Sequence, residues 1–262
     1  MCQEVARVDL GLKGRVAIVT GSSRGIGRAI ALGLANEGCR VVVTARNQEE
    51  LQRAAEDVKA RGAEVLAVAA DVTTSEGVGR VVGETLGAFG RVDVLVNNVG
   101  GSRGAQLMDT SEDQFRETLE LNLFPAIRFS RAVVPHMKEQ GEGAIVNISS
   151  IYGKEAGGTV AYNVAKAGEI SLAKQMAREL APFRIRVNSV APGSILFPGG
   201  SWERRIQADP AGMAEFERRE MPFGFGRPED VASVVVFLAS ERARHVSGAC
   251  WVVDGAQSRS NI

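Results

Sequence analysis

Cysteine, histidine, tyrosine and tryptophan are all scarce in this chain of 262 residues, at three, two, two and two copies. Cys2, Cys39 and Cys250 are odd in number and scattered, with no C-x-x-C pair. That excludes a disulfide framework or zinc knuckle and fits a reducing, cytoplasmic setting. His136 and His245 stand far apart with no ligand partners nearby, so both read as surface or helix-end residues and no metal site is expected. An excess of either charge is missing too: Lys plus Arg is 31 and Asp plus Glu is 31. With no global field, nucleic acid and anionic membrane are not expected partners. No apolar run approaches membrane-spanning length, and Met1–Gly14 has no apolar core of the signal-peptide kind.

What the chain does have is glycine, 30 residues of it, and a repeated alternation of β-branched runs with helical stretches. Val16–Thr20, Arg40–Thr44, Glu64–Ala69, Asp93–Val96, Ala144–Ser149, Ile185–Val190 and Ala249–Val253 read as strands. Several are almost unbroken Val, Ile and Ala, as expected of strands covered on both faces. Helices are expected near 25–38, 48–61, 74–89, 111–139, 161–181 and 228–240. Asn47 with Glu50 makes an Asn-x-x-Glu helix start, so Glu50 reads as a capping residue. Ser111 followed by Glu112 and Asp113 opens the fourth helix with acids at its positive end. The alternation predicts an α/β fold: a doubly wound, parallel, seven-stranded Rossmann-like sheet with helices on both faces. No repeat or linker divides the chain, so residues 1–262 read as one dinucleotide-binding domain. The irregular stretch 195–227, with a short helix expected in 203–220, reads as a substrate lid.

The first strand runs into Thr20-Gly21-Ser22-Ser23-Arg24-Gly25-Ile26-Gly27 and then a helix. Glycines there permit a tight turn and let backbone approach a pyrophosphate at the helix N-terminus. The second strand ends in Thr44-Ala45-Arg46, without the acid that commonly binds the ribose hydroxyls of NAD. Arg24 and Arg46 together suit a ribose 2′-phosphate, which favours NADP(H). Tyr162 and Lys166, at i and i+4, share one helix face, and a nearby ammonium favours the phenolate and makes the tyrosine a usable acid or base.

Thr20-Gly-x-x-x-Gly-x-Gly27, Asp71-Val72, Asn97-Asn98-Val99-Gly100, Asn122, Ser150, Tyr162-x-x-x-Lys166 and Pro192-Gly193 occur in an order that resembles the short-chain dehydrogenase/reductase family, from about Leu12 to Gly255. The nearest general resemblance is to 3-oxoacyl-carrier-protein reductases. It implies that Asp71 and Val72 contact the adenine, that Asn97 to Gly100 lie along the cofactor, and that Pro192, Gly193 and Ile195 cover the nicotinamide. Tyr162 would be the acid–base residue, Lys166 its partner and a ribose ligand, and Ser150 the group that steadies the substrate oxygen. Asn122 would hold a water linking Lys166 to solvent. A homotetramer is implied, with the helices near 111–139 and 161–181 packing on their symmetry mates; Phe124, Ile127, Leu172 and Met176 supply more apolar surface than one core stripe requires.

Three departures stand out. Val99 replaces the usual Ala, Phe197 replaces the Thr that would bond the nicotinamide amide, and Ala256 replaces a common final Gly. Ser149 competes with Ser150 for the active-site role. Ser150 is chosen because Ser150-Ile151-Tyr152-Gly153 resembles the family's Ser-x-x-Gly. The chain therefore reads as an NADP(H)-dependent reductase or dehydrogenase acting on a small carbonyl or alcohol substrate, with a 3-oxoacyl thioester as one candidate. The alternatives are a sugar, polyol or steroid alcohol dehydrogenase and a catalytically silent NADP sensor. The intact Asn122, Ser150, Tyr162 and Lys166 set argues against silence.

Overall fold

The computed structural model describes residues 8–261; Cys2 lies outside them. Strands β1 (Val16–Thr20), β2 (Arg40–Ala45), β3 (Val65–Ala69), β4 (Val94–Asn97), β5 (Gly143–Ile148), β6 (Ile185–Pro192) and β7 (Cys250–Val253) form one parallel sheet in the order β3-β2-β1-β4-β5-β6-β7. Each boundary falls within two residues of its sequence expectation, because the apolar runs coincide with the strands.

Alternation along the central strands splits the core in two. Ala17 and Val19 of β1, with Val41 and Val43 of β2, meet α1 (Gly25–Asn36), α2 (Gln48–Lys59) and α8 (Pro228–Ala239) on one face. Val16, Ile18 and Val42 point the other way. There they meet α3 (Ser75–Phe89), α4 (Glu112–Gln140) and α5 (Val160–Leu180). Every residue of β1 is buried, so a polar side chain there must find its partners within the protein, as Thr20 does.

Helix starts follow the sequence signals. Asn47 accepts from the Glu50 amide at 2.9 Å, and Ser111 with Gln114 forms a full capping box. Helix α4 runs through Pro125 and Pro135. Pro125 has no N–H for the carbonyl of Leu121, so the ladder of α4 breaks beside Asn122. The stretch 195–227 holds two helices where one was expected. These are α6 (Ser201–Ala208) and α7 (Pro210–Glu220), divided at Asp209, whose carboxylate caps α7 through the Gly212 amide at 2.9 Å.

At the N-terminal edge of the sheet, Asp93 is 4% exposed and accepts from the Val16 amide at 2.8 Å. Arg15 and Arg91 also bond it, and Arg15 bonds Glu142 as well. At the opposite end the chain order reverses between β1 and β4, which opens the crevice where doubly wound folds bind ligands. No helix among the described residues is long and apolar enough to cross a membrane.

Candidate active site

The crevice is shaped by backbone clamps. Thr20 Oγ1 accepts from the amides of Asn98 and Val99, and the Asn98 side chain donates to the carbonyls of Thr20 and Gly21 at 2.9 and 3.1 Å. Ser22 is fully buried; its hydroxyl donates to Val19 O and accepts from Thr44 N, tying β1 to β2. Gly25 takes a positive φ of 55°, and a Cβ at Gly27 would stand 2.4 Å from the Gly21 carbonyl oxygen. Ile26 packs on the α1–α8 core. No side chain caps α1, so its first-turn N–H groups are available to an anion. A turn with glycine at positions 21, 25 and 27, leading into an uncapped helix, suits the pyrophosphate of a dinucleotide.

The ends of β2 and β3 lie beside the glycine turn. Arg46 is exposed at the end of β2, and Asp71 faces its charge. Asp71 accepts from the hydroxyl and amide of Thr73, and these bonds, then Arg46, hold its carboxyl below the usual range. Val72 is a core residue, 5% exposed. Arg24 reaches the lid, donating to Gly199 O at 3.3 Å. Glu50 does more than open α2, since its carboxylate accepts from Ser23 of the glycine turn at 3.3 Å. An acid does reach this corner, from the next helix rather than from β2.

Asn97 is buried, and its side chain donates to Asn147 Oδ1 at 2.9 Å within the sheet while its own Oδ1 finds no partner. Gly100 lies over the reactive cluster: a Cβ there would be 2.7 Å from Asn122 Oδ1 and 3.1 Å from Lys166 Nζ. Asn122 donates to the carbonyls of Gly101 and Thr118, both at 2.7 Å, and accepts from the Gly101 amide at 3.0 Å. Its side chain thus joins the segment after β4 to α4.

The two serines separate cleanly. Ser149 donates to Lys166 O at 2.8 Å and is committed to holding α5. Ser150 accepts from the Tyr152 amide at 3.2 Å and keeps its own proton uncommitted. On α5 the Lys166 ammonium lies 5.6 Å from the Tyr162 ring centroid. It donates to Ile148 O at 2.9 Å and to both oxygens of Glu169 at 3.0 Å. Glu169 was missed from sequence. Its signal was available, an acid at i+3 from Lys166 on the apolar face of Ala165, Ala173 and Ala177.

A recess of about 310 Å³ adjoins this cluster, lined by Tyr152, Glu155, Phe216, Glu220, Gln257 and Arg259 among others. The C-terminal segment builds part of its wall. Glu155 accepts from the amides of Arg259 and Ser260 at 2.7 and 2.9 Å, and Arg259 pairs with Glu220 at 3.1 Å. Gln257 bonds Ser194 through its backbone amide and hydroxyl, and Gly193 packs so closely on Gln257 and Asp254 that no Cβ fits. Beyond Pro192 and Gly193, Ile195 is buried and bridges to Gly226 at the far end of the lid. The Phe197 ring lies against Gly25, within 2.7 Å of where a Cβ would be. Trp202 stacks on Phe216 and packs on Phe225, both at 5.6 Å, so it anchors the lid helices to each other. No cluster of metal ligands occurs among the described residues.

A crevice at the switch point, cradled for a dinucleotide and flanked by a tyrosine–lysine face, defines a dinucleotide-dependent oxidoreductase acting on CH–OH or C=O groups. A family model described as enoyl-(acyl carrier protein) reductase matches residues 21–256. A 3-oxoacyl-[acyl-carrier-protein] reductase of Staphylococcus aureus is 38% identical over 242 residues, 91% of this chain and 96% of the relative. An uncharacterised oxidoreductase of Mycobacterium tuberculosis is 37% identical over 253 residues, 96% of this chain and 95% of the relative. The crystal structure of L-sorbose reductase from Gluconobacter frateurii, complexed with NADPH and L-sorbose, superposes with a TM-score of 0.90 at 37% identity, covering 97% of this chain and 100% of that one. The chain belongs to the short-chain dehydrogenase/reductase family.

Proposed function

We propose that this protein is an NADP(H)-dependent oxidoreductase that interconverts a small ketone and its secondary alcohol, with Tyr162 as the acid–base residue. The observation that carries the reading is the shared face of Tyr162 and Lys166 on α5, with the Lys166 ammonium beneath the Gly100 backbone. The uncommitted Ser150 proton supports it. Bound nicotinamide would supply the hydride. The uncapped start of α1, with Gly21, Gly25 and Gly27, would hold the pyrophosphate; Ser23, Arg24 and Arg46 would meet the 2′-phosphate, Arg24 after leaving Gly199. Pro192, Gly193 and Ile195 would close over the nicotinamide end.

During reduction Tyr162 gives its proton to the substrate oxygen, and Ser150 donates a hydrogen bond to the same atom as its charge develops. Lys166 favours the phenolate left behind, and Asn122 keeps the Gly100–Gly101 backbone seated over it, with a water completing the path to solvent. The stretch 195–227 serves as the lid over the recess. The recess wall mixes Glu155, Glu220, Gln257 and Arg259 with Ile151, Tyr152 and Phe216, so a hydroxylated carbonyl such as a sugar or polyol stands beside a 3-oxoacyl thioester as a candidate substrate.

The test is a panel of ketoses, polyols, short ketones and 3-oxoacyl thioesters assayed with NADPH and NADH, in wild type and Tyr162→Phe. Turnover of at least one carbonyl, and its near-complete loss in Tyr162→Phe with nucleotide binding retained, is the expected result. Near-normal turnover by Tyr162→Phe would refute the mechanism. Cofactor choice is read from the ratio of kcat/KM for NADPH over NADH. It should exceed one, fall roughly ten- to a hundredfold in Arg46→Ala, and reverse in Ala45→Asp with Arg46→Leu. A wild-type ratio below one would overturn the NADP assignment.

A further inference from the structure

A lysine ammonium has three N–H donors, and those of Lys166 are all taken inside the protein, by Ile148 O and by the two oxygens of Glu169. Lys166 is 3% exposed and Glu169 2%, so the pair is shut off from water. The rest of that face of α5 is Ala161, Ala165, Ala173, Ala177 and Leu180. A buried ion pair seldom stabilises a fold better than apolar residues of the same volume. The acid therefore calls for an explanation in what it does to the lysine.

We propose that Glu169 is a positioning residue for Lys166: it holds Nζ against β5 and balances its charge, so that Lys166 acts on Tyr162 and on a nicotinamide ribose only by giving up a Glu169 contact. The proposal rests on the roles of Tyr162 and Lys166 given above. Among the described residues, the one other titratable group that faces the pair is Tyr162, also on α5. The sheet and α4 contribute Asn97, Asn147, Ser149 and Asn122, none of which titrates.

The pair has a built-in pH response. Burial pushes the Glu169 carboxyl up to about 7, with Lys166 pulling against that shift. Burial would lower the Lys166 ammonium, but the facing Glu169 and Tyr162 outweigh it and keep the lysine charged. Protonated, Glu169 is a neutral acid with a weaker grip, and Lys166 can turn to a ribose hydroxyl. Ionised, the carboxylate retains the ammonium and a nucleotide must compete for it, and burial brings that change closer to neutrality than for an ordinary glutamate.

The experiment titrates NADPH (and NADH, should it bind more tightly) by fluorescence from pH 6 to 8.5, without substrate, in wild type, Glu169→Gln and Glu169→Asp. The nucleotide's own ionisation is common to all three proteins and cancels in their ratios. Relative to Glu169→Gln, wild type should lose roughly three- to tenfold in affinity between pH 6 and 8. Glu169→Asp keeps the charge but not the reach, so it should retain the pH dependence in weakened form and bind more tightly than wild type at pH 8. With any carbonyl that turns over, the acid limb of the kcat profile should move down by roughly one pH unit in Glu169→Gln, because Lys166 then acts unbalanced. Identical pH dependence of nucleotide affinity in wild type and Glu169→Gln would overturn the proposal. Should Glu169→Gln fail to fold, a Glu169→Asp titration superimposable on wild type would do the same. Retained turnover in Tyr162→Phe would overturn the functional reading alone, since the binding comparison does not depend on it.

Discussion

Ser149 and Ser150 are adjacent and chemically identical, yet the fold gives their hydroxyls different partners. Ser149 bonds the Lys166 carbonyl, so Ser149→Ala should lower stability by about 1 kcal/mol, measured by denaturant unfolding, with a much smaller loss of kcat than in Ser150→Ala. Ser150 is free to donate to a substrate oxygen, so Ser150→Ala should lower kcat by roughly 10²–10³ with little change in unfolding. Comparable kcat losses in the two variants would contradict this division. Lys166→Ala should damage both the rate and nucleotide affinity, as seen by stopped-flow turnover and fluorescence titration. It also leaves Glu169 buried without its partner, so the protein should favour the neutral acid and melt higher at pH 5 than at pH 8. Distance along the sequence does not decide between the serines, since the spacing to Tyr162 that the family resemblance implies fits Ser149 slightly better, and Ser150 is chosen on Ser150-Ile151-Tyr152-Gly153 alone. The decisive fact is which hydroxyl α5 already occupies.

At the scale of elements, β4 shows how a buried charge secures a strand. Asp93 binds Arg15, Arg91 and the Val16 amide, and although burial opposes ionisation these bonds hold its carboxyl below the usual range. A lowered folded-state pKa gives stability that is present above the unfolded value and lost as pH falls through the folded one. Stability should therefore drop on acidification from about pH 5 toward pH 2, and Asp93→Asn should flatten that drop while costing about 3 kcal/mol at pH 7. Urea unfolding across that range checks both. The strands were legible because unbroken Val and Ile runs have few other uses in a chain of this composition. The lid was only half legible: its Arg- and Glu-rich helices have no strong apolar stripe, so α6 and α7 merged into one expectation. What divides them is Asp209 capping α7.

Among the exposed apolar side chains of the described residues, four lie on regular elements that a second copy could cover. Phe124 on α4 and Val164 on α5 are 38% and 47% exposed, and Trp251 and Val252 on the edge strand β7 are 36% and 38% exposed. Edge strands and apolar helix faces of this sort are usually covered in an assembly. A homotetramer built on these faces is the expected state, and light scattering at micromolar concentration should return about four times the chain mass. Phe124→Glu with Val164→Glu should shift it to smaller species, whereas a monomeric wild type would rule the assembly out.

By itself the sequence determined the parallel doubly wound sheet, its strands, the glycine turn and the placement of Tyr162 and Lys166 on one helix face. Those features are periodic or local: alternation of apolar runs, i and i+4 spacing, and turn chemistry are written in consecutive residues. Tertiary structure alone decided the rest. It brought Glu50 from α2 to Ser23, laid Phe197 over Gly25, built the recess wall from Arg259 and Gln257 at the far end of the chain, and sealed Glu169 against Lys166 beneath the sheet. Each of these depends on burial and on contacts between distant segments, and a charge or ring acquires its chemical meaning only when the fold determines what surrounds it.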